Sequence, residues 1–188
     1  MKTWSLALLL LAGVAFVFTG CSESSLPPVS PADQTAAPLQ KAVITNFTFN
    51  HFPIALPFSG ETKQVGEVWI MKDVGIRERI VSVNPLVDGI MIHYLSATMN
   101  ATTGEGPVHG KCTVTPLADV EGGVWEGTYE GYRSKGPGTY FTLPLKVVVH
   151  GKGGTIDGMQ GFFESTITAV GTPPTGWSGA GGGFYKSH

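Results

Sequence analysis

Hydrophobic and polar residues alternate along the chain from residue 42 onward, in short segments without a helical period. Alternation with a period of two puts one row of side chains on a buried face and the next in solvent, which is typical of β-strands. Glycine, proline and aspartate separate the segments, and Asp88-Gly89 is a strong hairpin signal. The pattern predicts strands at approximately 42–51, 65–72, 76–83, 90–99, 108–115, 122–133, 139–149, 155–169 and 177–186.

Short consecutive strands joined by tight turns predict an antiparallel meander. A long meander removes its exposed edges best by closing on itself. We therefore predict an all-β fold, an antiparallel meander β-barrel of eight or nine strands forming one domain at 41–188, with a two-sheet β-sandwich as the alternative. Turns are predicted at 58–60 and 72–75, among others. The glycine-rich segment 176–188 is predicted to be the closing strand, with a loose tail as the alternative.

A glycine pattern occurs twice, as GGVWEGTYEGY at 122–132 and GGTIDGMQGFF at 153–163. In the first copy, glycines and large rings share one face of the predicted strand, while Glu126 and Glu130 share the other. Glycines between rings suit a strongly curved strand, so we predict that the rings face the barrel interior and the glutamates face water. The alternative puts both glutamates in a cavity, where burial would raise their pKa and suit one to acid–base chemistry. The predicted inward face carries Trp125, Gly127, Tyr129, Gly131 and Arg133.

The first 20 residues have the composition of a secretory signal. Lys2 precedes an uncharged, mostly apolar run at Leu6–Phe18, which is shorter than the roughly 20 residues of a membrane-spanning helix. We predict a signal peptide at 1–20, with an uncleaved N-terminal anchor as the alternative. Its last residues, Phe-Thr-Gly, and Cys21 resemble the bacterial lipobox, in which the cysteine is lipidated and becomes the new N-terminus. The resemblance implies a lipoprotein whose Cys21 carries acyl chains such as palmitate.

The segment 21–40 follows as a tether rich in proline, serine and alanine. It has too few large apolar side chains to offset the entropy of ordering, so we predict a flexible linker between lipid and barrel. Ser22 is not the aspartate that favours retention at the inner membrane in enterobacterial lipoproteins. The expected location is the bacterial cell envelope, lipid-anchored at the outer membrane where the host has one.

Charge and motif content narrow the expected partners. Only 14% of the residues are charged, the formal net charge is −2 and no basic run exists, so nucleic acid is not an expected partner. The five histidines are scattered singly, without the short spacing of a chelating pair. We therefore expect no metal and no other cofactor. The sequence has no Gly-x-Ser-x-Gly elbow and no phosphate-binding loop, and it identifies no protein partner.

Four polar positions on predicted strands have ordinary structural explanations. Cys112 belongs to the apolar row of its strand, where a thiol acts as a small buried hydrophobe. His93 shares a row with Met91 and Leu95, which favours a core histidine over a ligand. Arg77 and Arg79 share one face, which we predict to be solvated; the alternative makes both arginines anchors for a ligand carboxylate.

The order of four glycine motifs resembles a known group of proteins. The motifs are Gly104-x-Gly106, His109-Gly110, Gly122–Gly127 and Gly153–Met159. Their order is similar to that in bacterial secreted proteins with an allene oxide cyclase-like barrel, related in fold to plant dirigent proteins. The resemblance covers approximately residues 65–168 and implies an eight-stranded barrel whose interior holds an apolar ligand. In the plant cyclases the barrel shapes an unsaturated fatty-acid epoxide for ring closure, assisted by a glutamate and an ordered water.

Two functions are consistent with these observations. The first is a lipid-anchored, non-enzymatic barrel that binds a small apolar ligand or has a structural role; Trp125, Tyr129 and Arg133 are its candidate ligand contacts. The second is a cyclase or isomerase acting on an apolar substrate confined in the barrel, with Glu78 or Glu126 as the acid or base. The resemblance assigns no catalytic residue. An interaction module with an apolar outer patch is a third alternative.

Overall fold

The computed structural model describes residues 41–55, 57–118, 121–171 and 174–187. The predicted signal peptide, Cys21 and the tether lie outside the described residues. No helix in the described part is long and apolar enough to span a bilayer. Its elements are β1 (Val43–Pro53), β2 (Ser59–Val65), β3 (Val68–Val81), β4 (Gly89–Asn100), β5 (Gly106–Pro116), β6 (Val124–Arg133), β7 (Phe141–Lys152), a 3₁₀ turn (Gly154–Ile156), β8 (Gln160–Gly171) and β9 (Pro174–Ser187).

The strands form one antiparallel sheet that closes into a barrel. Neighbours along the sheet follow the order β1-β9-β8-β7-β6-β5-β4-β3-β2. The sheet closes because Asn50–Pro53 of β1 also pairs with Glu78–Val81 of β3. Eight strands therefore form the barrel, and β2 extends the sheet beyond β3. This confirms the predicted all-β barrel over the sandwich. The glycine-rich C-terminal segment pairs with both β1 and β8, so it is the closing strand.

The predicted break at 72–75 is wrong. The chain continues through it as one strand, β3, and the irregularity is a bulge at which the register with β4 shifts between Met71 and Val74. Asp73 has φ of 51° at this bulge. A bulge adds residues to one strand without ending the ladder, which explains why the turn-like composition misled the prediction. The preceding turn lies at Gly66, with φ of 58°, and the predicted turn at 58–60 overlaps the start of β2.

The barrel interior is packed with alternating side chains from its strands. On β6, Trp125 and Tyr129 are buried, whereas Glu130 is exposed. The predicted role of the β6 glycines in making room for rings is not what the structure has: a Cβ on Gly127 or Gly131 would meet the backbone of β7, whereas on the neighbouring strand a Cβ on Gly110 would lie 2.5 Å from the Tyr129 hydroxyl. Beyond β7, the 3₁₀ turn buries Ile156, so β8 begins at Gln160, later than predicted.

Candidate functional site

A cluster of buried polar side chains lies midway along the barrel interior. Each member belongs to the inward row of a different strand, so barrel closure brings together residues that are far apart in sequence. On β3, for example, alternation turns Ile76, Glu78 and Ile80 inward, while Arg77 lies on the exposed face. The members of this Glu78 cluster are Glu78 (β3), His51 (β1), His93 (β4), Tyr129 (β6), Ser165 (β8) and Trp177 (β9).

Glu78 is at the centre of the cluster and is 0% exposed. Its Oε2 lies 2.6 Å from His51 Nδ1, and its Oε1 accepts a hydrogen bond of 2.8 Å from the indole N–H of Trp177. His93 Nε2 is 3.7 Å from the same Oε1. A buried carboxylate is tolerated only when its oxygens are hydrogen-bonded or paired with positive charge. Both oxygens of Glu78 meet this requirement.

The surroundings of Glu78 also fix its protonation state. Burial opposes ionisation, but the His51 hydrogen bond and the electrostatic attraction of the nearby His51 and His93 rings outweigh burial and hold the pKa of Glu78 well below its usual range. Glu78 is therefore a carboxylate at neutral pH. A carboxylate stabilised in this way is a weak base and cannot act as an acid.

His51 links Glu78 to Ser165. His51 Nε2 lies 2.7 Å from Ser165 Oγ, and the Ser165 hydroxyl is 3.3 Å from the backbone carbonyl of Ala180. If Ser165 donates to Ala180, both ring nitrogens of His51 carry protons and His51 forms an ion pair with Glu78. If Ser165 donates to His51, the ring is neutral and only Nδ1 donates. A Cβ on Gly179 would collide with the His51 ring, so the absence of a side chain there makes room for His51.

The other branch of the cluster joins His93 to Tyr129. His93 Nδ1 lies 2.9 Å from the Tyr129 hydroxyl, and the rings meet edge to face with centroids 5.6 Å apart. Burial, with the nearby Cys112 and Glu78, raises the pKa of Tyr129, so Tyr129 stays a neutral phenol. Burial also raises the pKa of the Cys112 thiol to about 12, which makes it a poor nucleophile. The prediction of a buried, unreactive Cys112 fits this environment.

Little free space surrounds the cluster. One interior cavity of about 20 Å³ touches Glu78, His51 and Ser165. A second cavity of about 20 Å³, near Phe47 and Tyr185, has an entirely apolar lining. A space of roughly 10–15 Å³ is needed to hold one water molecule, so each cavity has room for about one water. Ser165, His51 and Glu78 have the connectivity of a nucleophile, a base and an orienting carboxylate, but the interior cavity that the three residues share has room for about one water only.

The three candidate ligand contacts on β6 do not surround a single pocket. Trp125 lies toward the end of the barrel where β1 begins, and its indole N–H donates to the Leu86 carbonyl at 2.7 Å. Tyr129 belongs to the Glu78 cluster, and Arg133 lies at the opposite end, 4.3 Å from the centroid of the Phe141 ring. All three lie on the inward row as predicted, but they are spread along the barrel axis.

The two candidate acids or bases lie on opposite sides of the barrel wall. Glu78 faces the interior, whereas Glu126 lies outside and pairs with Lys152 at 2.5 Å. His51, Ser165 and Trp177 were not among the sequence candidates. His51 had a signal, since it shares an alternating row with Phe47 and Phe49, but nothing in the sequence indicates that the three residues meet.

The remaining polar predictions concern the outer wall and metal binding. Arg77 is exposed, and Arg79 pairs with Asp88 at 2.7 Å. This matches the predicted solvated face, and Asp88, the partner of Arg79, lies in the connection between β3 and β4. Within the ranges that the structure describes, no group of three or more His, Cys, Asp or Glu residues could hold a metal ion.

The chain matches no protein-family model and no solved structure. It is 31% identical over 108 residues to an AA9 family lytic polysaccharide monooxygenase D of Gloeophyllum trabeum. The matched segment is 55% of this chain and 31% of the relative. The chain therefore spans about a third of that relative's length, and the match assigns no family.

Proposed function

We propose that the protein is a lipid-anchored component of the bacterial cell envelope whose barrel is non-enzymatic and has a structural or binding role. Cys21 carries the acyl chains, the segment 21–40 is the tether, and the outer membrane is the location where the host has one. The membrane is then a partner through the anchor, which contributes about 0.8 kcal/mol per buried methylene.

The observation that carries the non-enzymatic part of the proposal is the coordination of Glu78. A general acid or base works best when its pKa is close to the operating pH. The pKa of Glu78 is held well below its usual range, and both of its oxygens already have partners. This favours a carboxylate that cross-links the barrel over one that moves protons.

The geometry favours a structural role over binding of an apolar ligand inside the barrel. Eight-stranded barrels either fill with side chains or enclose one small ligand. Here the two interior cavities described above have about 20 Å³ each. An apolar ligand of several atoms would have to displace packed rings such as Trp125 or Tyr129, which are both buried.

A cyclase or isomerase remains the second candidate, because the hydrogen-bonded chain from Ser165 through His51 to Glu78 is a specific observation in its favour. The resemblance to allene oxide cyclase-like barrels suggests the class of substrate to use. The full-length protein is incubated with an unsaturated fatty-acid epoxide, and the products are separated by chromatography. We expect no ring-closed product above the protein-free rate. Turnover that is lost in Glu78→Gln would overturn the non-enzymatic proposal.

The anchor is tested in a bacterial host that processes lipoproteins. Cells expressing the full-length chain are labelled with an alkyne analogue of palmitate and separated into membrane and soluble fractions. We expect labelled protein in the membrane fraction, and no label in Cys21→Ser. Cys112→Ser is the matched control and should keep both label and location. Label-free protein in the soluble fraction would contradict the anchor without bearing on the role of Glu78.

A further inference from the structure

A cleft at one end of the barrel is separate from the Glu78 cluster. It lies where β4 and β6 end, between the turn after Asn100 and the loop 134–140, and it has a volume of about 210 Å³. Its size is roughly ten times that of either interior cavity. The lining of this Arg133 cleft includes Trp69, Thr102, Thr103, Arg133, Lys135 and Tyr140.

Arg133 is held in the cleft by aromatic rings rather than by a carboxylate. Its guanidinium carbon lies 4.3 Å from the centroid of the Phe141 ring and 5.6 Å from that of Tyr140. Among the described residues no ion pair includes Arg133. Its Nη1 contacts the weak acceptor Sδ of Met99 at 3.8 Å, the guanidinium also interacts with the Tyr140 hydroxyl, and its Nε is buried without an acceptor. Stacking fixes the plane of the guanidinium while leaving hydrogen-bonding capacity unused.

The residues around the cleft leave room for a ligand next to the Arg133 guanidinium. Gly104 borders the guanidinium, and a Cβ there would lie 3.6 Å from Arg133 Nη2, so a side chain at this position would cover part of the guanidinium. The turn is fixed by Asn100, whose Oδ1 accepts hydrogen bonds of 2.9 Å from the backbone N–H groups of Thr102 and Thr103.

The charge in the cleft is positive. Lys135 is exposed, and no ion pair within the described ranges includes it. The Glu105 carboxylate lies close by, and its Oε1 accepts a hydrogen bond of 3.2 Å from the backbone N–H of Lys135. Glu105 does not line the cleft. Two cations therefore line the cleft, without a carboxylate in its lining.

One side of the cleft also offers a flat apolar surface. Trp69 is 42% exposed, and its indole N–H donates to Gln64 Oε1 at 3.0 Å. This hydrogen bond leaves the ring face free. Exposed aromatic rings beside a stacked arginine suit a ligand with an apolar body and an anionic group.

We propose that the Arg133 cleft binds a small organic carboxylate. The carboxylate pairs with the guanidinium of Arg133 and is attracted by Lys135, and the apolar body lies against Trp69 and Tyr140. Pockets for drug-sized ligands have about 300–1,000 Å³, so a cleft of about 210 Å³ fits a molecule the size of benzoate. The site is independent of the proposed function, since it uses neither the anchor nor the interior.

Binding is tested with the full-length protein in detergent micelles, labelled with ¹⁵N and titrated with sodium benzoate. We expect saturable amide shifts confined to residues 99–105 and 133–140, with a dissociation constant on the order of 1 mM. Benzamide has the same shape without the charge and should bind at least tenfold more weakly. Inorganic phosphate should also bind more weakly, because it has no apolar body. Equal binding of benzamide or of phosphate would overturn the proposal, as would no saturation at about 10 mM benzoate.

Substitutions test whether Arg133 is responsible for benzoate binding. Arg133→Gln should weaken benzoate binding about tenfold, and Arg133→Lys should weaken it less because a charge remains without the planar fork. Lys135→Gln, at an exposed position, should weaken binding about threefold through lost attraction. Lys146→Gln removes one charge from the outer wall and should leave the affinity unchanged. If Arg133→Gln does not fold, the benzoate affinities of Arg133→Lys and Lys135→Gln still test whether the cleft is the binding site. Unchanged affinity in the folded Arg133 and Lys135 variants refutes the site.

Discussion

Replacing Glu78 by glutamine tests whether the buried carboxylate holds the barrel together. Glu78→Gln keeps the shape of the side chain and removes its negative charge. In the native protein Glu78 accepts hydrogen bonds from His51 at 2.6 Å and from Trp177 at 2.8 Å. A glutamine carbonyl can accept only on one side, so its NH₂ group must face either the His51 ring or the indole N–H. The substitution therefore leaves a buried donor without an acceptor or a buried histidine without its counter-charge.

The expected loss of stability follows from the burial of these partners. Removing the charged member of a buried hydrogen-bonded pair costs about 3–5 kcal/mol, and His51 and Glu78 are almost completely buried. With a urea m-value of about 2 kcal/mol/M, the unfolding midpoint should fall by about 2 M. Urea unfolding followed by circular dichroism measures this shift, and an unchanged m-value shows that two-state behaviour is retained.

The matched control is Glu126→Gln on the outer wall. Glu126 pairs with Lys152, and both side chains are substantially exposed, so its loss should cost about 0–1 kcal/mol. A Glu78→Gln variant within about 0.5 kcal/mol of wild type would refute the reasoning that the carboxylate cross-links the barrel.

Three further predictions concern pH, reactivity and packing. The folded-state pKa of Glu78 is lowered, so its contribution to stability is present above roughly pH 4.3, the usual glutamate value, and is lost as pH falls toward the folded-state pKa. Urea midpoints measured from about pH 6 down to about pH 2 should therefore fall less steeply with acid in Glu78→Gln than in wild type. Identical profiles would contradict the assignment. The Cys112 thiol, with its pKa raised to about 12, should not react with iodoacetamide until urea unfolds the protein, and rapid labelling of the native state would count against its burial. Gly179→Ala should lower the free energy of unfolding by at least about 2 kcal/mol, because a methyl group there collides with the His51 ring. In the control Gly176→Ala the added methyl group meets nothing within 4 Å, so the urea midpoint should change little. Equal midpoints in the two variants would argue against the placement of His51.

The sequence predicted the parts of the fold that depend on local alternation. The inward row of β6, with Trp125 and Tyr129, follows from a period of two. Glu126 outside and Cys112 inside follow from the same rule. The closing strand at the C-terminus was also predictable, since a meander ends at its own first strand when it forms a barrel.

The Glu78 cluster could not be predicted, because it depends on long-range register. His51 and Glu78 are 27 positions apart, and His51 and Ser165 are 114 apart. They meet only because β1 pairs with both β9 and β3, a register that no local pattern specifies. The bulge near Asp73 was missed for a similar reason, since its composition is that of a turn and only the pairing of β3 with β4 distinguishes the two.

The mass of the intact protein isolated from its host's membranes tests the central claim most directly. The protein is extracted with a mild detergent, and its mass is measured by native mass spectrometry and again after denaturation. The account predicts a chain that begins at Cys21, carries acyl groups there, and has the same mass in both measurements because the barrel interior is filled by its own side chains. An unacylated chain would contradict the account. The same measurement on Arg133→Gln, which disables the Arg133 cleft, isolates the barrel interior, and a small molecule lost from this variant on denaturation would also contradict the account.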